Sequence, residues 1–135
     1  MENVQWRSSY QVRISIMDEE HKALFALLNQ LIDAFNNGAV QSELEAALAE
    51  YIDAVERHFS SEETLLKKHN YPGLEKQQRD HSQILQKLLD FQAMIKAGRL
   101  SFSDKSLQDL TKSKVAHILG SDQAYAEYLI DQGVR

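Results

Sequence analysis

Apolar side chains recur along most of this chain at alternating intervals of three and four residues, the spacing that lines one face of an α-helix. The first such stripe is Met17, His21, Leu24, Leu28, Leu31 and Phe35. A second reads Leu44, Leu48, Tyr51, Val55, His58, Glu62 and Leu65, and a third Leu74, Gln77, His81, Ile84, Leu88, Phe91 and Ile95. Breaks fall at Asn36-Asn37-Gly38, at Asn70-Tyr71-Pro72-Gly73 and between Gly98 and Asp104. Together they predict four helices, at about 17–37, 42–69, 73–97 and 104–130, behind an N-terminal arm at 1–16. Ser42 and Glu45 read as a capping box that opens the second helix. Amphipathic helices joined by short connections predict an all-α fold, an up-down-up-down four-helix bundle forming one domain over 1–135.

The fourth segment is less regular. One stripe runs through Leu107, Leu110, Lys114 and His117, and another through Thr111, Val115, Ile118, Asp122, Tyr125 and Leu129. The inward face changes near Gly120, a residue type that weakens a helix interior by about 1 kcal/mol relative to alanine. A local distortion of the helix is expected there.

Composition narrows the chemistry. With 135 residues, 43% of them hydrophobic and 26% charged, the chain fits one ordinary globular domain and is neither fibrous nor disordered. It has no cysteine, which excludes disulfide scaffolds, thiolate metal sites, iron–sulfur clusters and cysteine nucleophiles. The longest unbroken apolar run, Ala23 to Leu28, is far too short to span a membrane. Met1 to Tyr10 carries no export signal, so the expected location is the cytoplasm. A net charge of −5 argues against nucleic acid as a partner. The one basic cluster, Lys67-Lys68-His69, fits a helix end whose dipole it complements. Ser8-Ser9 and Ser60-Ser61 read as surface or capping serines, and no feature marks a protein partner.

The informative residues are the polar ones inside the stripes. His21, His58 with Glu62, Gln77 with His81, and His117 with Asp122 all interrupt otherwise apolar faces. In an antiparallel bundle, the starts of helices one and three lie beside the ends of helices two and four. At about 1.5 Å per residue, these groups fall within one or two turns of the same depth. A single histidine on an apolar face is usually a satisfied core residue. Four imidazoles and two carboxylates in one layer are different, because burying carboxylates without positive charge costs several kcal/mol. A metal supplies that charge, and imidazole with carboxylate suits iron, zinc or manganese.

The spacing also bears on the number of ions. His58 and Glu62, four apart, share one helix face. His117 and Asp122, five apart, would diverge by about 140° on an ideal helix, which calls for a distorted turn or two metals. Six ligands exceed one tetrahedral site, and two carboxylates from different helices can bridge a pair of ions. The expected site is dinuclear.

The series His21 within Asp-Glu-Glu-His-Lys-Ala-Leu-Phe, His58-Phe59-Ser60-Ser61-Glu62-Glu63, Tyr71-Pro72-Gly73-Leu74, His81, and His117-Ile118 followed by Asp122 resembles hemerythrin, especially the bacterial single-domain form. The resemblance runs from Trp6 to about Leu129. It implies two non-haem, carboxylate-bridged iron ions that bind O2 or a related small diatomic ligand. Glu62 and Asp122 would bridge, His21 and His58 would hold the iron with the open position, and His81 and His117 would hold the other. Trp6 and Tyr10 would pack the arm against the bundle.

The chain departs from the family pattern in two places. A third histidine is expected four residues before His81, and Gln77 stands there. Gln77 either coordinates weakly or yields its place to water; His69, in the turn before helix three, is a possible substitute ligand, but a surface role is expected of it. The family also carries a tryptophan four residues before its last histidine, where this chain has Ser113, followed by Lys114, Val115 and Ala116. Lys114 is expected to extend toward solvent. A wetter pocket with one imidazole fewer should bind O2 less reversibly. The resemblance implies O2 storage, delivery or sensing rather than an enzyme, whereas Gln77 and the altered fourth helix lean toward an enzyme. The alternatives are a di-iron enzyme reducing peroxide, O2 or nitric oxide, and a degenerate domain with an incomplete metal site.

Overall fold

The structure, a computed structural model, describes all of residues 1–135. Four rods form an all-helical bundle without strands: α1 (Ser15–Asn36), α2 (Gln41–Lys68), α3 (Leu74–Lys96), and a last rod made of α4 (Asp104–His117), a π-helical turn (Ile118–Asp122) and α5 (Gln123–Asp131). A short 3-10 turn, Ser8–Tyr10, lies in the arm that precedes α1.

Local chemistry sets the ends of these rods. The Asp18 carboxylate accepts hydrogen bonds from the Val12 and Arg13 amides at 2.8 and 3.1 Å. That clamp holds Arg13 in the left-handed region, at φ 64°, just before α1 starts. Gly38, at φ 73°, makes the turn out of α1, and the Ala39 amide bonds back to the Ala34 carbonyl at 2.9 Å. Gly73 is needed for a different reason, since a Cβ there would sit 2.7 Å from the Tyr71 ring.

The capping box expected at Ser42 and Glu45 is absent. The chain is already extended at Val40, so the helix begins at Gln41 and takes Ser42 into its first turn, and no side chain caps it. The capping box lies instead at α4, where Ser103 Oγ accepts from the Ser106 amide at 3.1 Å and Ser106 Oγ accepts from the Ser103 amide at 2.9 Å.

The distortion expected near Gly120 takes the form of the π turn, in which the Gln123 amide donates to the Ile118 carbonyl five residues back. The extra residue in that turn re-aims the last rod, so that Leu107 and His117 face inward before it, and Asp122, Tyr125 and Leu129 after it.

The core divides into two apolar blocks. The larger comprises Leu24, Leu28, Leu31, Leu48, Tyr51, Val55 and their neighbours. The smaller contains Val12, Ile14, Met17, Leu66, Tyr125, Ala126 and Leu129, where the arm closes the other end. The eight buried polar or charged residues are His21, His58, Glu62, Gln77, His81, Lys114, His117 and Asp122. α1, α2 and α3 pack closely in succession, whereas α4 stands further off. That gap is a cavity of about 370 Å³ between α2, α3 and α4. No helix is long and apolar enough to cross a membrane.

Candidate metal centre

All seven residues singled out in the stripes meet in one layer. His21, His58, Glu62 and Asp122 bring one ligand atom each to within 4.8 Å of one another, and so do Glu62, His81, His117 and Asp122. The two groups share their carboxylates. Glu62 turns Oε2 toward His58 Nε2 at 3.3 Å and His21 Nε2 at 3.7 Å, and Oε1 toward His81 Nε2 at 2.9 Å. Asp122 turns Oδ2 toward His21 Nε2 at 3.1 Å and Oδ1 toward His117 Nε2 at 3.2 Å. Each carboxylate therefore offers one oxygen to the His21/His58 side and the other to the His81/His117 side. The π turn makes this possible, because on an ideal helix His117 and Asp122 would point about 140° apart.

A second layer orients the imidazoles. Glu20 Oε1 lies 2.6 Å from His58 Nδ1, and Glu63 Oε2 lies 2.7 Å from His81 Nδ1. Ser61 Oγ donates to the other Glu20 oxygen at 2.9 Å, so it is not the surface or capping serine expected of it. With Nδ1 held by a carboxylate, each ring aims Nε2 at the centre. The Tyr125 hydroxyl donates to Glu62 Oε2 at 2.8 Å. Phe59 stacks flat on His81 with centroids 3.7 Å apart. None of these five supporting roles was read from the sequence. Glu20 and Glu63 adjoin ligand positions but look like ordinary solvated acids. Tyr125 gave a signal, since a tyrosine on an inward stripe needs a partner for its hydroxyl.

Gln77 stays buried and faces the His81/His117 side. Its amide nitrogen lies 2.9 Å from Glu62 Oε1, 2.8 Å from Asp122 Oδ1 and 3.4 Å from His81 Nε2. His69 is not part of the layer; its carbonyl accepts a hydrogen bond from the Tyr128 hydroxyl at 2.8 Å.

Lys114 overturns the expectation that it reaches solvent. It is buried, its Nζ makes no hydrogen bond, and it lies 5.5 Å from the centre of the Phe59 ring. Its place on the inward stripe of α4, the room left by the cavity and the attraction of two nearby carboxylates account for this. Burial pushes its pKa down, and the charges of Asp122 and Glu62 partly oppose that.

The layer keeps its carboxylates ionised by setting imidazoles against them. Burial raises the Glu62 carboxyl, but the approach of His21, His58 and His81 outweighs it and holds the group well below the usual range. Asp122 is also held low: burial and Glu62 push it up, and His117 and His21 pull it down further. For His21, burial disfavours the charged ring, yet the two carboxylates raise its pKa. The Nε2 atoms of His21, His58 and His117 and the Oδ2 of Asp122 are buried without an aligned hydrogen bond. Unsatisfied imidazole nitrogens converging on shared carboxylates are a donor set that could hold a metal cation.

On the other side of the layer, the N-terminal arm covers His21. Trp6 lies 6.5 Å from the His21 ring and 5.4 Å from Phe25, and Tyr10 packs edge-on against both Trp6 and Phe25. Aromatic rings thus screen the His21 side, whereas the cavity reaches Lys114 and His117.

Comparison with known proteins agrees with this geometry. The Hemerythrin HHE cation binding domain matches residues 12–129. The chain is 29% identical to a bacteriohemerythrin of Stenotrophomonas maltophilia over 90% of its own length and 78% of that protein's. It is 34% identical to a hemerythrin-like protein of Naegleria gruberi, over 89% of this chain and 88% of the relative. The crystal structure of a wild-type hemerythrin superposes with a TM-score of 0.86 at 26% identity, covering 93% of this chain and 97% of the other. From its arm to its last helix, this chain belongs to the hemerythrin family.

Proposed function

We propose that the chain is a non-haem di-iron protein that binds O2 for storage, delivery or sensing. The observation that carries this reading is the division of Glu62 and Asp122, each with one oxygen toward His21 or His58 and one toward His81 or His117. When bound, a pair of iron ions supplies the redox-active sites at which a diatomic ligand is taken up. His21 and His58 would hold the first ion, and His81, His117 and the Gln77 side chain the second, with the carboxylates bridging.

The protein's own part is positioning and screening. Glu20 and Glu63 fix the rings of His58 and His81, and Tyr125 fixes the rotation of Glu62. Trp6 and Phe25 exclude water from the His21 side. A weaker donor at Gln77 and a cavity running to His117 leave the second side more exchangeable.

These same features support a second reading, in which the centre reduces peroxide, O2 or nitric oxide. Lys114 sets a positive charge beside the cavity, where an anionic reduced product would form.

Iron per chain and the absorption spectrum in air, measured on the protein and on Gln77→His, test the proposal. Two irons with an oxygen-sensitive spectrum in the parent are expected. One iron or none, restored to two by Gln77→His, would overturn the O2-binding assignment. Peroxide turnover by the iron-loaded parent separates the enzymatic reading from the binding one.

A further inference from the structure

The cavity between α2, α3 and α4 contributes only His117 to the ligand set and is far larger than a diatomic molecule needs. Its volume of about 370 Å³ lies in the range of small-molecule sites, roughly 300–1,000 Å³. Val55 and Phe59 of α2, Leu88 and Phe91 of α3, and Leu110 of α4 form an apolar wall. The mouth opens past the exposed residues Lys87, Ser101, Lys105 and Ser113.

Lys114 lies at the inner end. It is 6% exposed, and its Nζ is buried with no hydrogen bond. A buried ammonium with three unused donors is costly unless an acceptor meets it. Neither nearby carboxylate forms an ion pair with it: Glu62 accepts from Tyr125 and Gln77, and Asp122 accepts from Gln77 and turns its oxygens toward His21 and His117. The Phe59 ring, 5.5 Å away, offers a weak cation–π contact and no hydrogen-bond acceptor.

The charge around the cavity has the same sense. Of the charged side chains that line it, Lys87, Lys105 and Lys114 are positive and Asp109 is negative, with Glu62 and Asp122 lying beyond Lys114 in the metal layer, in a chain whose net charge is −5. Asp109 is itself paired with Lys105 at 3.3 Å. The cavity is thus a locally cationic, apolar-walled site on an acidic protein.

We infer that this cavity binds a carboxylate carried on a medium-length apolar chain, with the carboxylate on Lys114 Nζ and the chain along the Leu88, Phe91 and Leu110 wall. Lys105 and Lys114 are nine residues apart on α4, roughly 14 Å along its axis at about 1.5 Å per residue. That length suits a fatty acid of medium chain and is wasted on acetate. A charge-assisted hydrogen bond in an apolar setting supplies the orientation. The inference goes beyond O2 binding and holds whichever function the metal centre serves.

Calorimetric titration of the iron-loaded full-length protein with octanoate, 1-octanol and acetate tests it. Octanoate should bind once per chain and more tightly than either comparator. Lys114→Met should weaken octanoate by about tenfold or more, the scale of one lost charge-assisted hydrogen bond, and leave octanol unchanged. Lys114→Arg should keep octanoate, and Leu110→Trp, which fills the cavity, should abolish binding of both. Iron content and helical circular dichroism show which variants are intact. If Lys114→Met does not fold, the octanoate–octanol difference in the parent and the Leu110→Trp result still decide. Octanoate binding no tighter than octanol, undiminished in Lys114→Met, or absent from the parent would overturn the inference.

Discussion

The Gln77 side-chain amide donates a hydrogen bond to Asp122 Oδ1 over 2.8 Å, and the same nitrogen reaches Glu62 Oε1 at 2.9 Å. A glutamine in this orientation ties the two shared carboxylates together where a cation would otherwise bridge them. An ion on that side needs the amide to rotate and present Oε1, because an NH2 group has no lone pair to offer. Gln77→Ala should therefore destabilise the metal-free chain by roughly 1–3 kcal/mol, the cost of leaving buried carboxylate oxygens unpaired. With metal in excess the loss should shrink, since the ions take over the carboxylates. Urea unfolding of both variants, with and without iron, checks this.

The second layer makes a separate prediction. Glu20 lies 2.6 Å from His58 Nδ1, and Glu63 lies 2.7 Å from His81 Nδ1. Glu20→Ala frees the His58 ring to rotate and should cost about 10–100-fold in metal affinity. Glu63→Ala should do the same through His81. Competition with a chelator of known affinity reads the loss. Equal affinity in parent and variants would mean that packing alone, including the Phe59 stack on His81, fixes the rings.

Metal removal should lower thermal stability. The ligands exist as a site only in the folded chain, so binding stabilises the fold by mass action. At free metal near 1,000 times Kd that amounts to about 4 kcal/mol, a melting shift on the order of 10 °C for a domain of this size. Differential scanning calorimetry of metal-free and metal-loaded protein should show it. No shift would mean that the layer holds its ions too weakly to serve as a resident centre.

Three substitutions away from the layer set the scale for the scaffold. Leu48 is fully buried in the larger apolar block, and Leu48→Ala should cost about 2–5 kcal/mol through the cavity it leaves. Ser103 caps α4 through Ser106, and Ser103→Ala should cost about 1 kcal/mol. Ser42→Ala should be close to neutral, because α2 starts at Gln41 without a side-chain cap. Denaturant midpoints of the three variants check the order.

Retention of O2 is the functional counterpart. One side of the layer is screened by Trp6, Tyr10 and Phe25, and the other opens through a cavity to Lys114 and His117. The iron-loaded protein should autoxidise in air faster than a family member whose cavity is filled by an aromatic ring. Placing such a ring at Ser113 or Lys114 should slow that decay. The absorption spectrum followed over hours at neutral pH measures it.

Much of this protein was readable along the chain. Residues at alternating intervals of three and four can share a face only on a helix, so the stripes from Met17, Leu44 and Leu74 defined three rods and which groups they bury. The glycine, asparagine and proline breaks separated the rods, and short connections left antiparallel packing as the simplest arrangement. His21, His58, Glu62, Gln77, His81, His117 and Asp122 stood out because polar groups on an apolar face are costly unless they meet. Gln77 stood out a second time, as a weaker donor than the imidazole expected there.

Tertiary structure decided what depends on direction and on neighbours distant in the chain. The five-residue interval between His117 and Asp122 becomes convergent only through the π turn. Glu20 and Glu63 act across helices, on His58 and His81, and nothing in an acid's own sequence neighbourhood distinguishes such a contact from a solvated face. Ser42 lost its capping role because the N-cap falls two residues earlier, at Val40, where the backbone is extended. Lys114 turned inward because α4 stands off and leaves room for it beside two carboxylates. Periodicity in the sequence reports which face of a helix is buried. The partner that each buried polar atom finds, or lacks, depends on how far apart the helices stand.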